Sequence, residues 1–244
     1  MPKIIHLISD LHLCDSKPQL LALFEHYMRQ IAPRCEQLYV LGDLFEVWVG
    51  DDFESELSGR VITLFDEYVQ QGGQLFLGHG NRDFLLGDCF AAKSGATLIQ
   101  EPHFLSWQQH NIGLMHGDSL CLDDTAYQEF RQVVRDHKWQ ADFLSKDLEQ
   151  RLAIADGIRE QSMAAQLDKS ATIMDVNESA VKAFFEQHQI DWLIHGHTHR
   201  EGEHRYSGKN NSQRKRIVLS DWGDKGHYLE LSKGQANSLY FGLD

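Results

Sequence analysis

Five short segments of the chain carry side chains able to coordinate metal: Asp10-Leu11-His12, Gly42-Asp43, Gly80-Asn81-Arg82-Asp83, His116-Gly117-Asp118 and Gly196-His197-Thr198-His199. They supply carboxylates, imidazoles and one amide oxygen, the mixed oxygen and nitrogen set that a pair of divalent ions takes. Any one of them alone reads as turn chemistry or a satisfied polar side chain. All of them in one chain point to metal-dependent hydrolysis, in which water is activated and developing oxygen charge is neutralised.

Each segment closes a short apolar run: Lys3 to Ile8, Gln37 to Leu41, Gln74 to Leu77, Ile112 to Met115, and Trp192 to Ile194. Such runs are expected of buried strands. Between the early runs lie helical patterns. Leu20, Leu23, Phe24, Tyr27 and Met28 recur at helical spacing within Pro18 to Ile31, and Val61, Leu64, Phe65 and Tyr68 do so within Leu57 to Gln71, where Gly72-Gly73 stops the helix. The alternation predicts a largely parallel inner sheet, with ligand loops at the carboxyl ends of its strands. Arg216 to Leu219, His227 to Leu231 and Ser238 to Phe241 read as further strands with Gly-containing turns, predicting a second, mixed or antiparallel sheet. Ser119 to Gln189 carries only helical patterns, and Asn177 stands as N-cap of a helix whose inward face holds Val181, Phe184 and Phe185. The expectation is one α/β domain over residues 1–244, a helix-flanked sandwich of two sheets with a helical cap inserted at about 119–189.

The chain has 36 acidic and 23 basic residues and a net charge of -13, which opposes binding to nucleic acid. A phosphate substrate then needs local relief from that charge, and divalent ions supply it at the site itself. The four cysteines are scattered without a C-x-x-C pair, which argues against a zinc knuckle or a disulfide framework and fits a reduced cytosolic environment. His6 and Asp10 interrupt the N-terminal apolar stretch, and no other run is long enough to span a bilayer. Any membrane contact is therefore expected to be peripheral.

The motif set resembles the calcineurin-like metallophosphoesterases, whose D-x-H, G-D, G-N, H-G and G-H-x-H segments match Asp10-Leu11-His12, Gly42-Asp43, Gly80-Asn81, His116-Gly117 and Gly196-His197-Thr198-His199. The resemblance implies a calcineurin-like βαβ sandwich with two divalent metals, Mn²⁺ being the expected ion. Asp10, His12, Asp43 and His199 would hold one ion and Asp43, Asn81, His116 and His197 the other, with Asp43 bridging. His195 falls outside the family register and is expected to be structural. Many members have His after Gly-Asn, whereas this chain has Arg82. A guanidinium donates no proton at ordinary pH but can fork onto phosphate oxygens, so its expected role is charge stabilisation. Asp83 is expected to orient that Arg or a metal-ligating group.

With Arg82, the segments Ile8-Ser9-Asp10-Leu11-His12-Leu13, Gly42-Asp43-Leu44-Phe45-Glu46 and Ile173-Met174-Asp175-Val176-Asn177 resemble a narrower family over essentially the full length, the UDP-2,3-diacylglucosamine hydrolases of lipid A biosynthesis. This resemblance implies that UDP-2,3-diacylglucosamine is cleaved to UMP and 2,3-diacylglucosamine 1-phosphate (lipid X), by attack of activated water on the uridine-side phosphorus. Asp43, Asn81, Arg82 and His116 would be catalytic, and Asn81, Arg82, Asp124, Tyr127, Arg159, Ser162, Gln166, Lys169 and His197 would contact substrate. Gln166 stands where a shorter Asn is expected. The resemblance further implies a monomer bound peripherally to the cytoplasmic face of the bacterial inner membrane, without nucleic acid. Trp139, Phe143, Leu144, Leu148, Leu152 and Ile154 are expected to line an acyl groove. Arg131, Arg135, His137 and Lys138 read as a solvated helix face, with contact to anionic lipid headgroups as the alternative, Asp51 and Asp52 as exposed loop acids rather than groups that orient the metal ligands, and Cys14 as a buried, inert thiol. Two other readings remain: a phosphoesterase of the same fold acting on a soluble nucleotide or phosphoprotein, and a non-catalytic scaffold, which should have lost ligands that this chain retains.

Overall fold

The apolar runs become strands of two sheets in a computed structural model, which describes residues 3–167, 175–208 and 213–243. The first sheet contains β1 (Ile5–Ile8), β2 (Gln37–Val40), β3 (Gln74–Leu77) and β4 (Thr97–Leu98), all parallel. The second contains β5 (His103–Trp107), β6 (His110–Leu114), β7 (Trp192–His195), β8 (Gly202–Ser207) and β9 (Gln213–Val218), in the order β5-β6-β7-β9-β8. Its three inner strands are parallel and its two edge strands antiparallel. The hairpin of β10 (Gly226–Ser232) and β11 (Gln235–Phe241) extends the first sheet, with Leu231 opposite Ile5.

The expectation of one inner parallel sheet carrying all five ligand loops needs correction. Three of those strands lie in the first sheet and two in the second. The C-terminal strands likewise divide: β9 joins the second sheet, while β10 covers the β1 edge that would otherwise expose unpaired backbone. Both sheets turn their inner faces to one core. Ile5, Leu7, Tyr39 and Leu229 of the first meet Ile112, Leu114, Ile194 and Ile217 of the second. Strand alternation sends Ile8, Leu38 and Val40 to the other face, against α1 (Pro18–His26), α2 (Glu56–Gln70) and α3 (Asp88–Ser94).

Local chemistry sets the element boundaries. Ser55 and Ser58 form a reciprocal capping box at the start of α2. The helix expected to reach Ile31 leaves α geometry after His26 and ends in a short turn at Ala32–Arg34, because Pro33 has no N–H to continue the ladder. Strands β5 and β8 escaped the sequence reading because they are half-exposed edges in which polar residues hide the apolar signal.

Between β6 and β7 lie α4 (Thr125–Val134), α5 (His137–Leu144), α6 (Leu148–Leu167) and α7 (Glu178–His188). Asn177 caps α7 as expected, accepting from Ser179 N and Ala180 N at 3.0 Å. Val181 and Phe185 of α7 pack on Met115 and Leu193 and cover the outer face of the second sheet. Helix α6 is rooted in the body of the protein through Arg151, which is buried, donates to the Val49 carbonyl at 2.8 Å and pairs with Asp52. Asp52 is exposed, as expected, but its carboxylate is held by Arg151 and is not free. Asp51 is no free loop acid either, since it accepts from Trp48 Nε1 at 3.1 Å and from Gly87 N and Phe90 N at 2.9 Å, holding the start of α3.

Candidate active site

The ligand loops turn abruptly at the strand ends. Asp10 (φ 57°), His12 (50°), Asp43 (52°), His197 (66°) and His199 (54°) all adopt the left-handed backbone region that L-residues avoid. Such conformations cost about 1–3 kcal/mol each and persist only where surrounding structure enforces them. Here, Asp10 N donates to Gly42 O at 3.2 Å, His12 N to Asp43 O at 3.0 Å, and Gly196 N to His116 O at 2.9 Å, so each loop braces its neighbour. Close approach explains the glycines before two ligands: a Cβ on Gly196 would lie 2.1 Å from Asp10 Oδ2, and one on Gly80 would lie 2.0 Å from Asp43 Oδ1.

All seven expected ligands come together. His12 Nε2 and His199 Nε2 are 3.4 Å apart, and Asp10 Oδ1 lies 3.4 Å from the latter. On the other side, Asn81 Oδ1, His116 Nε2 and His197 Nδ1 lie 2.9–3.2 Å from one another. Between the two groups Asp43 Oδ2 sits 3.8 Å from His12 Nε2 and 3.7 Å from His116 Nε2. His116 Nδ1 donates to the Leu41 carbonyl at 3.0 Å, which leaves Nε2 with a free lone pair aimed into the cluster. Asp10 Oδ1 is buried and accepts no hydrogen bond among the described residues. An orphaned carboxylate oxygen beside converging imidazole nitrogens fits divalent cations, which would satisfy all of them.

The electrostatics agree with that reading. Burial pushes the Asp43 carboxyl up to about 6, although the His116 and His12 charges oppose it. Burial also works against a charge on His116, but Asp43, Asp10, Asp118 and Glu101 outweigh it and push the imidazole up to about 9. Without a cation, the cluster must recruit protons to offset its carboxylates.

Around this centre lie groups that orient it, of which Asp221 was not foreseen in the sequence. Asp83, wholly buried, accepts from Gly80 N (2.9 Å), Asp43 N (3.2 Å) and Leu44 N (2.7 Å), so it orients the ligand-bearing backbone of two loops. His195 is buried beside Gly196 O (2.9 Å) and Arg216 (3.4 Å), away from the cluster. Asp221 faces His199 Nδ1 at 3.5 Å. Asp118 Oδ2 accepts from the Tyr127 hydroxyl and Arg131 Nε, each at 2.7 Å, and Arg135 Nη2 donates to the Gly80 carbonyl at 2.9 Å. Arg131 and Arg135 are thus turned inward and do not form the solvated face expected of them, whereas His137 and Lys138 are exposed. Tyr127, Arg131 and Arg135 share one helical face at four-residue steps.

Asn81 and Arg82 also open into a cavity of about 270 Å³. Its apolar wall includes Trp48, Phe84, Leu85, Phe130, Trp139, Phe143, Ala155 and Ile158. Trp139 and Phe143 therefore line a groove as expected. Leu148, Leu152 and Ile154 pack on the main core and do not line the cavity, whereas Ala155 and Ile158 of α6 do. Leu144 is 43% exposed.

The family model of calcineurin-like phosphoesterases matches residues 4–201. A UDP-2,3-diacylglucosamine hydrolase from Hahella chejuensis is 46% identical over 221 residues, 91% of this chain and 90% of that protein. Hydrolases of the same name from Chromohalobacter salexigens and Aromatoleum aromaticum are 44% and 41% identical, over 88% and 96% of this chain and 87% and 96% of theirs. The chain belongs to the UDP-2,3-diacylglucosamine hydrolase family. Of the substrate contacts expected from the resemblance to these hydrolases, Asn81, Arg82, Tyr127, Arg159 and Ser162 line the cavity. His197 lies in the metal-ligand cluster, its ring 5.8 Å from that of Tyr127. Asp124 caps α4, accepting from Tyr127 N at 3.1 Å. Lys169, Ile173, Met174 and the Gln166 side chain lie outside the described residues.

Proposed function

We propose that this protein hydrolyses UDP-2,3-diacylglucosamine to UMP and 2,3-diacylglucosamine 1-phosphate, with water attacking the uridine-side phosphorus. One observation carries the reading: Asn81, in the metal-ligand cluster, and Arg82, whose N donates to Asp43 Oδ1 at 2.8 Å, both stand in the wall of an apolar cavity. A single molecule with an anionic head and an acyl tail would satisfy both halves of that site.

Asp10, His12, Asp43, Asn81, His116, His197 and His199 would hold the two divalent ions, for which the oxygen and imidazole donors favour Mn²⁺. When bound, such a pair supplies an activated water and neutralises charge developing on phosphate oxygens. Arg82 and Arg159 then bind the remaining phosphate oxygens as charge-assisted donors. A guanidinium pair suits both phosphate products, which are weakly basic and need charge neutralisation more than a proton. Asp124, Tyr127, Ser162, Gln166 and Lys169 are assigned to the nucleotide and sugar, with α4 to α6 acting as a cap inserted into one domain.

Hydrolysis in ¹⁸O-labelled water should place the label in UMP. Label only in the sugar phosphate would overturn the assigned point of attack, and equal turnover of diacylated and deacylated substrate would remove the role of the cavity. We further propose a monomer acting peripherally at the cytoplasmic face of the inner membrane. Val133 (53% exposed) and Leu144 (43%) are apolar surface on the helices that wall the cavity, and no helix among the described residues is long and apolar enough to cross a membrane. Sedimentation with and without anionic vesicles checks both points, since a dimer, or protein left wholly unbound, contradicts them.

A further inference from the structure

Glu46 stands three residues beyond Asp43, and its backbone N donates to Leu13 O at 3.1 Å, which fixes the loop alongside the one that carries His12. Its carboxylate is only 20% exposed and its two oxygens face different partners. Oε2 lies 3.0 Å from His12 Nδ1 as an ion-pair contact that is out of line for a hydrogen bond, at the ring nitrogen opposite the one turned toward Asp10, Asp43 and His199. Oε1 lies 3.7 Å from Arg159 Nε and 3.9 Å from Arg82 Nη1, guanidinium groups brought in by α6 and by the loop after β3. These last separations exceed hydrogen-bond length, so Glu46 pairs with the two guanidinium groups by charge and does not hold their donors in hydrogen bonds.

We propose that Glu46 is a positioning residue that joins the two halves of the site: one oxygen holds the His12 imidazole with Nε2 toward the metal-ligand cluster, and the other acts as counter-ion for the arginine pair. A carboxylate behind an imidazole fixes its tautomer and ring orientation and raises its basicity as a ligand. The second oxygen keeps two like-charged guanidinium groups together in the resting site, and its charge weakens their hold on an anion, so a phosphate product leaves more readily. The first role does not depend on which substrate is used. The second rests on the UMP-releasing reaction proposed above.

Three substitutions separate these roles. Mn²⁺ binding to metal-stripped protein, followed by electron paramagnetic resonance of the free ion, reads the first; UMP binding to Mn²⁺-saturated protein by calorimetry reads the second. Glu46→Ala should weaken Mn²⁺ binding by about 10- to 100-fold, the usual effect of removing a partner behind a metal-ligating His. Glu46→Gln keeps an oxygen for His12 and deletes the charge, so it should retain most Mn²⁺ affinity and bind UMP about two- to fivefold more tightly. Glu46→Asp keeps the charge and draws it back from Nδ1 by one methylene, so it should lose Mn²⁺ affinity without gaining UMP affinity. It carries the metal measurement should the alanine variant not fold. Wild-type Mn²⁺ affinity in Glu46→Asp or Glu46→Ala would overturn the hold on His12. Unchanged or weaker UMP binding in Glu46→Gln would overturn the counter-ion role while leaving the metal result standing.

Discussion

Asp83 shows how much of a site one side chain can organise without occupying it. Its carboxylate accepts from Gly80, Asp43 and Leu44, with Phe45 N at a longer 3.4 Å, and so fixes the backbone on both sides of Asp43 and just before Asn81. An amide at that place presents N–H to N–H. Asp83→Asn is therefore expected to leave buried donors unpaired at about 1–3 kcal/mol each, lowering Tm by roughly 5–10 °C, and to weaken Mn²⁺ binding. Unchanged melting and metal titration would refute the assignment. The ligands were legible from sequence because each sits in a turn whose neighbours are chemically constrained, as Gly196 is by the close approach of Asp10. Asp83 was legible as an orienting group, but its target was not, because its acceptors serve backbone N–H groups from a loop about forty residues away, which no local spacing records.

At the scale of elements, α4 joins the cap to the ligand loops. Tyr127 and Arg131 meet Asp118, while Arg135 reaches the Gly80 carbonyl and lies 5.3 Å over the Phe84 ring. Arg135→Met keeps apolar packing on Phe84 and removes the donor to Gly80. The expected result is a stability loss of about 1–3 kcal/mol and faster amide exchange in the Gly80 to Asp83 loop, with kcat lowered more than KM. Wild-type exchange in that loop would show that α4 does not hold it. The strands β1, β2, β3, β6 and β7 were readable as apolar runs, yet their division between two sheets was not. Period-two patterning says which residues are buried and is silent on which neighbour covers them. Arg131 and Arg135 were misread for a related reason: a basic helix face looks the same in sequence whether it meets water or the carboxylate of Asp118.

The two sheets meet at the site, so its geometry depends on the whole sandwich, and buried histidines couple the sandwich to pH. His6 is buried between Tyr27 OH at 3.2 Å and Glu230 at 3.3 Å, and burial holds it down at about 4 against the partial opposition of Glu230. His227 is packed beneath Tyr240, 2.7 Å from Ser238 Oγ and accepting from Ser220 N at 3.3 Å, and burial likewise lowers it to about 4. Both folded values lie below the ordinary 6.5, so the unfolded chain binds more protons between about pH 4 and 6.5. Stability from these groups is complete above that window and lost as pH falls through it, by about 3 kcal/mol for each histidine. Asp43 and Glu101, raised by burial to about 6 and 7, act in the opposite sense, so the net slope of the wild type does not isolate either histidine. The difference between proteins does. In metal-free protein, His227→Gln keeps partners for Ser220 and Ser238 but does not titrate, so its fall in Tm from about pH 7 to 4.5 should be roughly 4–10 °C smaller than that of the wild type. Parallel Tm curves for the two proteins would show that His227 takes up its proton in the folded state as readily as in the unfolded one.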